Sequence, residues 1–268
     1  MSTVGRTRLR GWRRIADAMW TAPNDPQIYG SLELDATPVL AFINRERAAG
    51  RKVTVTHAVG RALALGIRQV PDLNVRLLGG FALPRDSVDI FFITSVAAGK
   101  DLSGVKIRSA DEKTAGAIAD ELERRARAQK NGQDADLAKS KNVMEALPKH
   151  LLRAALHLSA FIAGDLDKGI DALALRSSPF GSAMVTSVGM FGLPMGFAPL
   201  AWMYKVPILV LVGEVTEKPV AVQGRVEIRP ILPICATIDH RWVDGWHISK
   251  LMGSFKAYLA DPSAFEGL

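Results

Sequence analysis

The stretch that decides the fold is Ile231-Leu232-Pro233-Ile234-Cys235-Ala236-Thr237-Ile238-Asp239-His240-Arg241-Trp242-Val243-Asp244-Gly245. Its first eight residues are apolar and β-branched enough to predict a buried strand. The strand delivers Asp239 and His240 at its end, and Asp244-Gly245 leads into a last helix. Ile248, Met252, Phe255 and Leu259 sit at core spacing on that helix. A histidine at a strand-to-loop edge faces outward while its backbone is held rigid. On pattern alone it reads as a general base or as a satisfied structural histidine.

Working outward, Gly181 to Val188, Ile208 to Val215, Val220 to Val222 and Val226 to Ile238 are predicted strands. Tyr29 to Asp35 and Val88 to Ala97 are further strands, and Val75 to Leu78 with Phe81 to Leu83 forms a hairpin around Gly79-Gly80. Helices are predicted at Arg13 to Trp20, at Thr37 to Ala49 (Thr37 as N-cap, Pro38 at the first helical position, Gly50 as terminator), at Thr54 to Val70, at Asp111 to Ala128, and over much of Lys139 to Asp165. The mixture has no βαβ regularity and no internal repeat. Lys130 to Lys141 is polar but does not separate two cores, so one α/β domain is expected.

The 268 residues are 48% hydrophobic and 23% charged, a composition that supports a core and argues against disorder away from the ends. Cys235 is the single cysteine, which excludes an intrachain disulfide and suits a reducing cytoplasm. The first ten residues lack a signal-peptide apolar run, and no segment has the length of a membrane span. The net charge is +7 and the pI about 9.7. Five arginines fall between Arg6 and Arg14, and Arg124, Arg125, Arg127 and Lys130 interleave with Glu121 and Glu123 as a solvated helical face. No zinc-finger, ribonucleoprotein or helix-turn-helix pattern accompanies this charge, so no nucleic-acid partner is expected. Nucleotide-binding, serine-hydrolase and zinc-protease signatures are absent, and His57, His150, His157, His240, His247 and Cys235 have no metal-ligand spacing. His57 reads as a core or capping residue, and His247 as a neighbour of His240 or a surface residue at a helix start.

The run Asp239-His240-Arg241-Trp242-Val243-Asp244-Gly245 resembles the His-x-x-x-Asp-Gly signature of the dihydrolipoyl acyltransferase catalytic domain and of chloramphenicol acetyltransferase. Thr186-Ser187-Val188-Gly189-Met190-Phe191-Gly192 is similar to that family's Ser-Asn-Leu-Gly-Met-Phe-Gly segment. Gly213 to Pro219 and Gly224 to Pro230 are similar to its paired strands. Arg13-Arg14-Ile15-Ala16, Pro71 to Arg76, Val88-Asp89-Ile90 and Ile107 to Asp111 extend the likeness, in order, from Arg13 to Pro262.

The resemblance implies a chloramphenicol-acetyltransferase-like α/β fold and acyl transfer between coenzyme A and a thiol of dihydrolipoyl type, or a hydroxyl. His240 is then the general base and Thr186 holds the position of an oxyanion-stabilising serine, with Ser187 beside it as a competing donor. Asp244, followed by Gly245, would support the site through an ion pair with an arginine. The family's arginine position holds Trp12 here, which leaves Arg13 or Arg14. The family forms trimers with the site between subunits, so a homotrimer or larger assembly is expected, with His240 and Thr186 from adjacent chains.

The expected organisation is a flexible basic segment 1–12 and a catalytic domain 13–268, without lipoyl or subunit-binding modules. A lipoyl group, if used, would come on a separate lipoyl-carrying protein. Ala201 to Pro207 departs from the family's Asn-Pro-Pro-Gln, near where acceptors are chosen. Residues 134–179 form a helical insertion with Leu151, Leu152, Ala155, Leu158 and Ile162 on one side and Lys149, His150, Arg153 and His157 on another. The helix is read as packed on its own domain or on a neighbouring subunit; the other reading is a basic amphipathic surface for anionic lipid or a phosphorylated ligand. The alternative function is a non-catalytic scaffold that retains the fold.

Overall fold

The computed structural model describes residues 25–96, 101–130, 148–170, 177–201 and 204–267. In chain order the strands and helices are β1 (Gln27–Asp35), α1 (Thr37–Ala48), α2 (Val55–Gln69), β2 (Val75–Leu78), β3 (Phe81–Pro84), β4 (Ile90–Val96), β5 (Asp101–Ile107), α3 (Ala115–Lys130), α4 (Lys149–Ala160), β6 (Ala183–Ser187), β7 (Ile208–Val212), β8 (Thr216–Val222), β9 (Arg225–Asp239), α5 (Gly245–Ala260) and α6 (Pro262–Glu266). A π turn, Phe161–Asp165, continues α4. The helix expected at Arg13 to Trp20 and the start of the insertion lie outside the described residues.

The main sheet has the order β1-β9-β7-β6-β4-β5, and β8 pairs with the first half of β9. Strand β9 is long because it is used twice. Arg225 to Ile231 pairs with β8, and Ile231 to Asp239 pairs with β1 on one side and, from Ile234, with β7 on the other. β4, β6 and β7 are mutually parallel, while β9 runs antiparallel to β7.

The central strands are covered on both faces, which explains the unbroken apolar run of β7. Successive side chains alternate between faces. Ile208, Val210 and Val212 therefore join Ile90, Phe92 and Val185 in the large core beneath α1, α2 and α5, and Leu209 and Leu211 join Met184, Leu200, Val206 and Cys235 in a smaller one. Helix α2 lies against β4 at Gly60, where an added Cβ would sit 2.3 Å from the Phe92 ring.

Several boundaries differ from the sequence reading for local reasons. Thr37 is the first helical residue and Ala36 is the N-cap; Thr37 instead gives its N–H to the Asp35 carboxylate at 2.8 Å. Pro38 and Gly50 (φ +85°) act as expected. Ala110–Glu112 is a 3-10 turn entered through Ser109 at φ +46°, so α3 starts at Ala115 rather than Asp111. Strand β5 was not foreseen. Asp101, Gly104 and Lys106 interrupt its apolar pattern, and Gly104 is needed because the Phe91 ring would be 2.2 Å from a Cβ there.

The C-terminus is locked into the fold by a buried ionic cluster. Arg61 Nε donates to Glu266 Oε1 at 3.2 Å, with the two side chains 8% and 2% exposed. Tyr258 donates to the same oxygen at 2.9 Å, and Ala115 N–H donates to the other at 2.6 Å. Arg61 also donates to the carbonyls of Ala110 and Asp111. Removing one member strands the others in low dielectric. Glu266→Ala is expected to cost about 3 kcal/mol in urea unfolding, whereas Glu266→Gln should retain part of it.

His57, in the first turn of α2, accepts a hydrogen bond from Thr54 N–H through Nδ1 at 3.1 Å and lies edge-on to Phe92. Burial pulls its pKa from 6.5 down to about 4. An unfolded chain takes up this proton near pH 6.5 and the folded chain only near 4. Stability is therefore full above pH 6.5 and is lost as pH falls towards 4, by about 3 kcal/mol from this residue. Unfolding curves across that range should flatten measurably in His57→Asn.

Candidate active site

The end of β9 is clamped from both sides. Asp239 N–H donates to Pro207 O at 2.9 Å and His240 N–H donates to Pro26 O at 2.9 Å, so the residues entering β7 and β1 fix the backbone of the histidine. The chain then turns back, with Val243 N–H donating to Asp239 O at 3.1 Å. The buried Asp239 carboxylate stabilises this turn by accepting from Arg241 Nε at 2.9 Å, Arg241 Nη2 at 2.6 Å and Arg241 N–H at 3.1 Å. Val243 is fully buried beneath it. Trp242 Nε1–H donates to Asp72 O at 2.7 Å, tying the turn to the 3-10 residues after α2.

Inside this frame the exposed His240 places Nδ1 2.8 Å from the carbonyl oxygen of Val243. A carbonyl only accepts, so Nδ1 must carry the proton. Neutral His240 is thereby fixed as the tautomer whose Nε2 has a free lone pair, the form a general base requires.

Asp244 is the N-cap of α5. Its Oδ1 accepts from Trp246 N–H at 3.0 Å, His247 N–H at 3.2 Å and His247 Nδ1 at 2.7 Å. These bonds, first among them the His247 N–H, hold the carboxyl below the usual aspartate range. In this chain Asp244 thus organises the helix start and His247, while Arg13 and Arg14, its expected partners, lie outside the described residues. Gly245 opens α5 with nothing within 4 Å of an added Cβ, so the structure gives no steric reason for glycine there. His247 stands in the first turn of α5, the helix-start position that the sequence offered beside a link to His240, and its side chain meets Asp244. Trp246 stands exposed, edge-on to His247.

Thr186 and Ser187 are half-buried and end β6. Because β6 runs antiparallel to β9, they emerge at the sheet edge opposite His240. The register makes this quantitative: Thr186 pairs with Leu211 and Leu211 with Cys235, five residues before His240 and two strands across. Strand geometry then separates Thr186 from His240 by about 19 Å within one chain. Beyond Ser187 the backbone passes so close to β7 that a Cβ on Gly189 would lie 2.5 Å from Gly213 O. The turn then presents Met190, Phe191, Leu193, Met195 and Phe197 to the outside. Among the described residues no group of three or more His, Cys, Asp or Glu side chains is placed to hold a metal ion.

The family model of 2-oxoacid dehydrogenases acyltransferase (catalytic domain) matches residues 3–140 and 173–266, and the chain belongs to that family. The dihydrolipoyllysine-residue succinyltransferase component of the Saccharomyces cerevisiae 2-oxoglutarate dehydrogenase complex is 22% identical over 97% of this chain and 47% of its own length. The human counterpart is 32% identical over 34% of this chain and 19% of its own. The chain thus spans under half the length of these curated relatives. Among solved structures, a probable dihydrolipoamide acetyltransferase from Listeria monocytogenes superposes with a TM-score of 0.65 at 20% identity, covering 97% of this chain and 96% of that one. The Azotobacter vinelandii dihydrolipoamide acetyltransferase gives 0.64 at 22% identity, over 90% and 84%. These likenesses establish the expected fold.

If Asp244 serves the turn mainly as a helix cap, Asp244→Asn should keep the melting temperature near wild type, because the amide oxygen still accepts from the helix N–H groups. Asp244→Ala should lower it. Thermal unfolding followed by circular dichroism distinguishes the two; equal losses in both variants would show that the charge, not the cap, matters.

Proposed function

We propose that the chain transfers an acyl group between coenzyme A and a thiol of dihydrolipoyl type, or a hydroxyl, with His240 as general base. The observation that carries this reading is the Nδ1 contact with Val243 O, which orients a bare Nε2 from a rigid strand end. Nε2 takes the proton of the acceptor thiol, and the sulfur attacks the thioester carbonyl. The tetrahedral oxyanion is stabilised by a preplaced hydroxyl. Collapse of the intermediate breaks the original carbon–sulfur bond, and the departing thiolate recovers the proton from the imidazolium.

Thr186 is the proposed oxyanion donor, with Ser187 as the competing hydroxyl. Either must come from an adjacent subunit, given the separation within one chain. The reading is therefore of a homotrimer at least, supported by the apolar turn from Met190 to Phe197 that follows Ser187 and by the complex cores among related structures, such as the truncated catalytic core from Thermoplasma acidophilum. Residues 141–172 fall between the two family matches. This supports reading the helical segment as an addition to the catalytic domain. The buried thiol of Cys235 suits the cytoplasmic setting this proposal retains.

The test follows coenzyme A release from acetyl-, propionyl- and longer acyl-coenzyme A with dihydrolipoamide as acceptor. His240→Ala is expected to lower turnover by about a hundredfold or more with its fold intact. Thr186→Val should lower kcat more than Ser187→Ala does, and the reverse order would move the oxyanion role to Ser187. No transfer with any donor, together with no coenzyme A binding in calorimetry, would favour the scaffold. Sedimentation velocity is expected to show no monomer.

A further inference from the structure

Helices α2 and α5 begin with the same device and use it differently. In each, a histidine stands at the third helical position of a capping box, where glutamate or glutamine is usual. At α2 the N-cap is Thr54, and His57 Nδ1 accepts the Thr54 N–H at 3.1 Å. At α5 the N-cap is Asp244, and the corresponding contact between Asp244 N and His247 Nδ1 lengthens to 3.4 Å. His247 Nδ1 lies instead 2.7 Å from Asp244 Oδ1. Hydrogen bonds, that of the His247 N–H first, keep the Asp244 carboxyl ionised. A carboxylate only accepts, so His247 Nδ1 carries the proton and donates it to the contact.

The donor is held stiffly. The His247 side chain is 14% exposed against 57% for Asp244. Its ring has Trp246 edge-on at 5.1 Å and Trp242 tilted at 6.5 Å, and Trp242 is itself tied to Asp72 O. One oxygen of a mostly exposed carboxylate is thus gripped by two helix N–H groups and a packed imidazole.

This grip reaches His240 through a single peptide group. The Val243 carbonyl, 2.8 Å from His240 Nδ1, and the Asp244 N–H belong to one planar unit. In a trans peptide the two point in opposite directions, and His247 Nδ1 lies on the N–H side. His240 and His247 therefore meet opposite edges of one peptide plane. Pinning Asp244 at its side chain restricts how far that plane can turn, and the carbonyl on it selects the tautomer of His240.

We propose that His247 is a positioning residue for acyl transfer: by donating to Asp244 it steadies the Val243–Asp244 peptide, and through Val243 O it keeps His240 as the tautomer with a bare Nε2. The inference rests on the proposed role of His240 as general base. A histidine serving the helix end alone has its pattern in His57, which takes the N-cap N–H; His247 is drawn to the carboxylate instead.

The test separates the donor from the ring. His247→Asn keeps an N–H donor near the place of Nδ1 without the ring, and His247→Phe keeps a ring between the tryptophans without the donor. Acyl transfer gives kcat and KM for acyl-coenzyme A. Solid-state nitrogen NMR of protein isotopically labelled in its imidazole rings gives the tautomer of His240, assigned by its loss in His240→Ala. In His247→Phe, kcat is expected to fall about tenfold with KM within about twofold, and a second tautomer of His240 to appear. His247→Asn should stay within about threefold of the wild-type kcat and show the single Nδ1-protonated form. His247→Leu takes the place of His247→Phe if circular dichroism shows the latter unfolded. Equal losses in the two variants, the reverse order, a loss confined to KM, or an unchanged His240 tautomer in the variant without the donor would overturn the proposal. Absence of transfer by the wild type counts against the acyltransferase reading alone, because the tautomer spectra of the same proteins still decide the positioning role.

Discussion

Strand β9 leaves the sheet with His240 at its end, and β6, running the other way, ends with Thr186 and Ser187 at the far edge. This antiparallel relation is imposed by the hydrogen-bonded register through β7 and cannot be relaxed without dismantling the centre of the sheet. Every functional argument has to respect it. A base and an oxyanion donor about 19 Å apart cannot act on one carbonyl, since both must lie within hydrogen-bond reach of the reacting atoms. Either the site is completed by another copy, or one of the two residues has no catalytic part.

The histidine turn shows how much of the local structure is devoted to one side chain. Asp239 is buried and its carboxylate is taken by Arg241, Trp242 is tied to Asp72, and Asp244 is taken by α5 and His247. These three polar groups are thus occupied elsewhere, and the Val243 carbonyl fixes the imidazole tautomer. The imidazole is thus oriented by a backbone carbonyl rather than by a carboxylate.

Much of this was legible in the sequence, where chemistry leaves a local trace. The β-branched run from Ile231 to Ile238 announces a central strand because both faces of that strand are covered. Gly50, Gly79 and Gly80 mark turns because each adopts a positive φ. His240 stands out through its position at a strand end. Other features had no local trace. Strand β5 owes its place to pairing with β4 rather than to its own apolar content, and Gly104 looks like a breaker until the Phe91 ring is set against it. The Arg61–Glu266 pair joins residues 205 apart in sequence. The tautomer of His240 depends on a backbone carbonyl, which no side-chain pattern encodes, and the role of Asp244 as a helix cap was hidden behind the ion pair that the family resemblance suggested. The Leu151–Leu158 face of α4 had the periodicity of a packed helix, and only the three-dimensional structure shows Leu151 and Leu158 exposed among the described residues.

The claim that the site is shared between chains is tested most directly by mixing two inactive variants. His240→Ala and Thr186→Val, co-expressed in equal amounts and purified as mixed oligomers, each retain the half that the other lacks. If base and oxyanion donor come from different copies, random assembly restores about one quarter of the wild-type sites, and activity should recover to about that level. Mixed oligomers no more active than the two variants measured separately would contradict the shared site.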